Sequence, residues 1–536
     1  MRILFSFFFL TLFLQFNGPI TAQTTYDFGV NLVAKNIPSL PGLHSYAFAQ
    51  ADGKWLIVGG RRDGLHARQP FNAFPASQNN TMLMVIDPAG NQFWEASLLS
   101  LPMSVQEQLQ STNMNFDQSG DTLVLIGGYA YSSSAGDHIT FPNLTTMIVS
   151  DVINGIINDV DFSSSVKQVY DEGFAVCGGQ LAKLNNQYYL AGGHRFDGRY
   201  NPMGNPTYTQ SYTNQIKIFE LENSGEIPVV FNETSWADEV HLHRRDYNLL
   251  PLVNSEGDES YMISSGVFQT DVNLPFLYPV MFDENGYSPE VEFMQYLSNY
   301  HCAHTAFYDE LNQRMHTMYF GGISRYYMSN GQLIEDSNVP FVETISAITF
   351  DGANQMQEVE LQTSMPDMRT ASAEFIPSSL LEYSDNGVLM LPNDLGDGLL
   401  IGHIYGGIYS PSANPFSVNQ TNTTSASSVI YEVWLNRSDV VNVELVNSPN
   451  NFEIEGVVLK KDGVLNYTLN APFSCSAKIY ISDMSGRVVS TREQEIQAGK
   501  ANYSTGGTNA FLSQGVYNIH FSFDGKFFQT AKVIKP

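Results

Sequence analysis

The sequence predicts an all-β chain: a six-bladed β-propeller followed by a small Ig-like β-sandwich. Three observations carry this. First, an apolar run ends in a small-residue pair six times, at Gly59-Gly60, Gly127-Gly128, Gly192-Gly193, Ser265-Gly266, Gly321-Gly322 and Gly406-Gly407. The intervals of 68, 65, 73, 56 and 85 residues are irregular, and each is long enough for a four-stranded blade. Second, shorter segments and turns flank these runs at hairpin spacing. Third, after Asn447–Asn451 the pattern changes to short alternating strands such as Lys478–Ile481 and Tyr517–Phe523.

Each unit reads as strands a, b, c and d. Leu43–Gln50 turns at Asp52-Gly53, Ser111–Asp117 at Ser119-Gly120, Ala175–Leu184 at Asn185-Asn186, and His301–Tyr308 at Asn312, giving a–b hairpins. The c–d hairpins turn at Asp87–Gly90, Asn154-Gly155, Asn223–Gly225, Asn285-Gly286, Asp351-Gly352 and Asn436. One blade cannot bury both of its faces, but a ring of six can, and closure removes most exposed edges. The strand-like Phe28–Ala34 precedes the first unit and is expected to complete the last blade. Glycine at the strand ends fits places where backbones converge and a side chain has no room.

Arg2, the apolar stretch Ile3–Phe16 and Ala22 make residues 1–22 a signal peptide, with cleavage expected near Ala22. The apolar stretch is too short to span a bilayer, and no later segment is long and apolar enough to do so. The propeller is expected over 24–447 and the sandwich over 452–536. A net charge of −28 and a pI near 4.6 argue against nucleic acid and anionic membrane surfaces, both of which would repel the chain. Three scattered cysteines, Cys177, Cys302 and Cys475, do not form a disulfide scaffold, although a Cys177–Cys302 bridge stays open. A monomer is expected.

The repeat resembles the kelch family: Gly-Gly after strand b, then an acidic residue and a Trp across the c–d hairpin. The first unit has that set, with Asp87 and Trp94; the Trp is missing from the others, and Ser265 replaces a glycine in the fourth. In the C-terminal module, Asp483-Met484-Ser485-Gly486-Arg487 resembles a D-x-x-G-R turn. Leu512-Ser513-Gln514-Gly515-Val516-Tyr517 resembles an L-x-x-G-x-Y segment, and Lys532–Lys535 a basic end. Asp483, Gly486, Arg487, Gly515, Tyr517 and Lys532 together resemble the type A C-terminal sorting domain of the type IX secretion system of Bacteroidetes. That resemblance implies recognition by the type IX machinery and export across the outer membrane, with release or attachment at the cell surface.

In an a-b-c-d blade the d–a and b–c connections share one end of the ring. The b–c connections carry Arg61, Arg62, His66, Arg68, His138, His194, Arg195, Arg199, Tyr200, Arg325, Tyr326 and Tyr327. The d–a connections carry His44, His241, His243, Arg244, Arg245, His301, His304 and Arg369. Nine of the eleven propeller arginines map to that end, and the opposite end is expected to hold short acidic turns. Arginine forks suit carboxylate or phosphate and aromatic faces suit sugar rings, so this rim is the candidate site for an anionic small molecule or glycan. The competing reading pairs these arginines with Asp63, Asp137, Glu172, Asp197, Asp246 and Asp367 of the same connections, pinning the loops.

No cofactor or metal is assigned. His241 and His243 would share a direction on a strand, and His301-Cys302-Ala303-His304 lies in an equivalent connection, but neither makes a compact metal signature. Galactose oxidase, a kelch propeller, is a copper radical enzyme, yet its ligands match no positions here. Hydrolase elbows, P-loops and dinucleotide fingerprints are missing. Three functions remain: a binding protein, an enzyme and a protein-interaction platform. Six-bladed kelch propellers include a sialic acid mutarotase. Chemistry of that kind needs an acid–base group beside the arginines, for which Glu172, Asp197 and Asp246 are the candidates.

Overall fold

The computed structural model describes residues 24–330, 332–351, 355–445, 451–505, 509 and 511–536. The expected signal peptide and most of the expected linker lie outside the described residues. Six antiparallel blades surround an axis, and their innermost a strands are Ala47–Ala51, Asn115–Ser119, Gln180–Leu184, Asn248–Val253, Ala303–Asp309 and Ala371–Pro377. The b strands are continuous apolar runs, such as Leu123–Ile126, buried on both faces because each blade is packed between two others. Outer strands such as Gln92–Ser97 are largely exposed. The strand Thr24–Lys35 pairs with Ile430–Leu445, so the N-terminal strand closes blade six as expected.

Ring closure is also written in the backbone just above the a strands. Ser45 N donates to Ser372 O, Asn113 N to Ser45 O, Gly178 N to Asn113 O, Asp246 N to Gly178 O, His301 N to Asp246 O and Ser372 N to His301 O, at 2.7–3.1 Å. These six bonds form a closed belt around the axis, one residue per blade. All of its residues except His301 adopt left-handed φ, a conformation that Ser, Asn, Asp and Gly accept readily.

The Gly-Gly pairs sit where neighbouring blades converge. A Cβ on Gly127 would lie 1.7 Å from Val176 O. Ser265, the exception, keeps the left-handed φ of 55° and donates its hydroxyl to Phe276 O at 2.5 Å.

Three expectations need correction. In blade two the c strand Asn143–Ile148 runs into a helix, Val149–Asn158, before the d strand Val166–Tyr170, so Asn154-Gly155 is helical rather than a hairpin turn. Val149, Val152, Ile153 and Ile156 recur at helical spacing and bury one face. Blade six does not turn at Asn436, because its c strand continues to Leu445 and pairs there with the outer strand of blade five. The a–b connections are not all short: Ser378–Gly398 of blade six carries a two-residue strand, Leu389–Met390, parallel to Phe307–Tyr308 of blade five. The pairing that the sequence leaves open is also decided: the three cysteines are separate buried thiols, so Cys177 and Cys302 are not bridged.

The C-terminal module is a sandwich of a three-stranded and a four-stranded sheet around a core that includes Leu465, Ile479, Ile519 and Phe521. It packs on the flank of blade four. Phe528 enters the blade's core, with its ring 4.8 Å from that of Tyr278. Among the described residues no helix is long and apolar enough to cross a membrane.

Candidate functional site

Three b–c connections rise above the belt as extra hairpins, Tyr129–Ser132 with Asp137–Thr140, His194–Gly198 with Tyr208–Tyr212, and Tyr326–Ser329 with Gln332–Glu335. The rim residues sit on or beside them.

Most rim arginines hold loops together. Arg61 is buried and forks onto Asp63 while Nη1 donates to Asn79. Burial alone would raise the Asp63 carboxyl, but His44 and Arg61 bring it down to about 2. Arg62 reaches Asn80 and lies 3.5 Å from Glu95, and Arg195 bridges Glu172 and Asp197 at 2.6 Å each. Arg325 donates to Glu335 and lies beside the buried Tyr326, and Arg369 forks onto Asp367. Arg68 donates to the carbonyls of Phe416 and Ser417, and Arg199 to that of Phe71. Arg244 is not on the rim surface. It is fully buried, bonded to the carbonyls of His241, Ser265 and Tyr278.

His241 and His243 do not point the same way. Their segment is not a strand, so alternate residues do not share a face. His241 Nδ1 meets Tyr278 OH inside the contact with the sandwich, whereas His243 Nδ1 meets Asn214 and its ring stacks on Tyr212 at 3.8 Å. Among the described residues no group of three His, Cys, Asp or Glu side chains is placed to hold a metal ion.

What the structure does bring together is the centre of this face. Arg245, next to the belt residue Asp246, donates Nε to Tyr212 OH at 3.0 Å and Nη1 to Asp246, and its guanidinium lies 5.1 Å from the Phe268 ring. Among the described residues no hydrogen bond engages its Nη2. Its charge acts on His66, His194, Tyr200, His243 and Tyr300, so parts of blades one, three, four and five converge on it. His66 stacks on Phe74 and lies edge-on to Tyr200. Burial, reinforced by Arg245, pushes His66 and His243 down to about 4, and His194 is also lowered. The centre of the face therefore brings imidazoles with lowered pKa and tyrosine rings around the Arg245 guanidinium.

Beneath the belt the axis is polar, and two of its carboxylates were not singled out from sequence. His301 Nε2 lies 3.4 Å from Glu374. Burial pushes this imidazole down, but Glu374 and Asp246 more than offset it, so His301 ends above its usual value. His304 sits deeper, with Nδ1 2.7 Å from Cys302 O and Nε2 3.2 Å from Leu249 O. A cavity of about 190 Å³ follows, lined by Asp117, Gln180, His304, Glu374 and Asn386 among others. Burial lifts Asp117 to about 7. The sequence signal for these two is a lone carboxylate within an otherwise uncharged innermost strand, Asp117 in Asn115–Ser119 and Glu374 in Ala371–Pro377.

In the sandwich, Asp483 caps its own turn, accepting from Ser485 N, and pairs with Arg487 at 3.3 Å. Gly486, at φ 80°, lies against the propeller, where a Cβ would be 1.8 Å from Ala237 O. Gly515 opens the strand Gly515–Phe523, Tyr517 OH bonds Ser513 O, and Lys532 is exposed on the last strand.

Fold and face together define a six-bladed β-propeller with a β-sandwich on its flank. No family model and no curated protein matches the chain. Among solved structures it is similar to YjhT, with a TM-score of 0.40 and 11% identity, covering 76% of this chain and 99% of that one. It is also similar to a fungal alcohol oxidase of the AA5 family in complex with copper, with a TM-score of 0.35 and 9% identity, covering 95% of this chain and 100% of that one. Neither likeness passes a ligand or an activity to this chain.

Proposed function

We propose that the chain is an exported kelch-type binding protein whose propeller captures a small anionic ligand or glycan at the centre of its loop-rich face. The observation that supports this is Arg245, held by Tyr212 and Asp246 with Nη2 engaged by no hydrogen bond among the described residues, at the convergence of His66, Tyr200 and Tyr300. A fixed guanidinium edge suits a carboxylate, and the neutral rings around it suit a sugar face. Saturable binding of a uronic or sialic acid to the full chain is expected in calorimetry. Arg245→Ala should weaken it at least about tenfold, the loss of one charged hydrogen bond. Arg195→Ala, which breaks an exposed ion pair, should leave it unchanged. No saturable binding, or equal binding by Arg245→Ala, would overturn the proposal.

A second reading, an enzyme acting on such a sugar, is favoured by the axial His301–Glu374 pair under the belt beside Asp246. Conversion of the bound sugar in the same samples, lost in His301→Gln, would replace the binding reading.

We also read the sandwich as a type IX sorting domain, supported by its three motifs in order. In a host with that secretion route, Tyr517→Ala or removal of 452–536 should leave the protein in the periplasm. Unchanged export would sink this reading.

A further inference from the structure

The sandwich meets blade four through a buried seam whose centre is two imidazoles. His241 Nε2 of the propeller faces His520 Nδ1 of the sandwich at 3.2 Å, and both residues are 2% exposed. His241 Nδ1 lies 2.7 Å from Tyr278 OH. His520 Nε2 lies 2.9 Å from Ser482 Oγ, and its Nδ1 is also 3.0 Å from Thr530 Oγ1. Each outer nitrogen meets a hydroxyl, which can give or take a proton. One proton per ring therefore satisfies the whole row.

A second proton on both rings does not. Two N–H groups would then face each other at 3.2 Å in a buried site. From the propeller, the charged groups acting on these rings are Asp238 and Arg244. Asp238 is held by the backbone N–H of Val240 and His241 and by Tyr287 OH, and Arg244 donates to His241 O. From the sandwich, the facing groups are the hydroxyls of Ser482 and Thr530. One carboxylate would thus face three positive charges.

We infer that this seam is a proton-released latch: it holds the sandwich on blade four while both imidazoles are neutral, and it opens when they are protonated. Burial depresses His241 to about 3 and lowers His520 as well, whereas in water each would titrate near 6.5. The docked form therefore binds fewer protons than the open form. Docking is fully favoured above about pH 6.5 and weakens as pH falls through that value. With two protons taken up, the opening constant rises by up to about 100-fold per pH unit. Carboxylates make further contacts, Asp271 with Lys478 and Tyr480, Glu292 with Gln529, Glu335 with Lys526 and Glu239 with Val488 N, while Phe528 in the blade's core, Gln269 Nε2 on Gly525 O and Glu239 N on Gly486 O carry no titrating group across the seam. Burial works against the charged Glu335, but Lys526 and Arg325 hold its carboxyl below the usual value, so that bond survives the window in which the histidines act.

Small-angle scattering of the full chain between pH 7.5 and 5.0 tests it. The largest dimension should grow reversibly as the pH falls, and the His241→Gln/His520→Gln double variant should stay compact to pH 5.0. A wild type that stays compact overturns the latch, as does a double variant that opens in the same window. If the double variant is already open at pH 7.5, histidine NMR of the wild type decides. Titration of His241 and His520 in step with opening supports the latch; titration near pH 6.5 in a molecule that stays compact overturns it.

Discussion

Replacing Arg244 by methionine should lower the stability of the propeller by about 3–5 kcal/mol, a large effect for one side chain. Methionine fills much of the volume, so a cavity is not the main cause. The guanidinium donates to His241 O at 2.7 Å, Ser265 O at 2.6 Å and Tyr278 O at 2.7 Å, and it lies 4.2 Å from the Phe276 ring. Burial drives its pKa down to about 10, which shows how much the site disfavours a charge. Deleting a buried charge is sometimes neutral. Here the balance tips the other way, because three carbonyls lose their donor together and each orphaned group costs about 1–3 kcal/mol. His241 O and Tyr278 O also belong to the seam under the sandwich, so the loss should spread there. A urea titration followed by tyrosine and tryptophan fluorescence measures it. A midpoint equal to that of the wild type would refute the argument.

Gly127→Ala should cost about 3 kcal/mol or more, while Gly53→Ala should cost about 1–2 kcal/mol. Both glycines have nearly the same left-handed φ, 68° and 71°. Around Gly53 nothing lies within 4 Å of a new Cβ, so only the backbone preference is lost. At Gly127 the methyl would meet Val176 O at 1.7 Å and Phe174 O at 3.1 Å. Val176 O cannot simply retreat, because Gly128 N and Asn115 Nδ2 hold it at 3.1 and 2.9 Å. The pair of melting temperatures separates strain from crowding. Equal losses would mean that the Gly-Gly motif is kept for φ alone.

The two sites also show what a sequence reveals about a repeat protein. Gly-Gly after an apolar run marks a strand end where blades converge, and that inference needs only local pattern. Nothing local says which carbonyl fills the space, since Val176 comes from the next blade. The arginine-rich rim divides the same way. Its placement on one end follows from the order of strands, but its chemistry depends on partners. Arg195 meets Glu172 from another connection, and Arg369 meets Asp367 two residues away, so neither presents a bare charge. By local pattern Asn154-Gly155 reads as a hairpin turn, while the packing of Val152 and Ile156 against blade one decides for the helix Val149–Asn158.

By itself, then, the sequence determined the all-β class, the six-fold repeat, the closing role of the N-terminal strand and the separate C-terminal sandwich. These features rest on periodicity and turn chemistry, which act between residues close in the chain. Only the tertiary structure decided the belt at the axis, the polar cavity beneath it, the partners of the rim arginines and the seat of the sandwich on blade four. Each of these joins residues far apart in sequence, as His241 joins His520 across 279 positions. Burial then sets the charge of such groups, and burial is a property of the assembled fold.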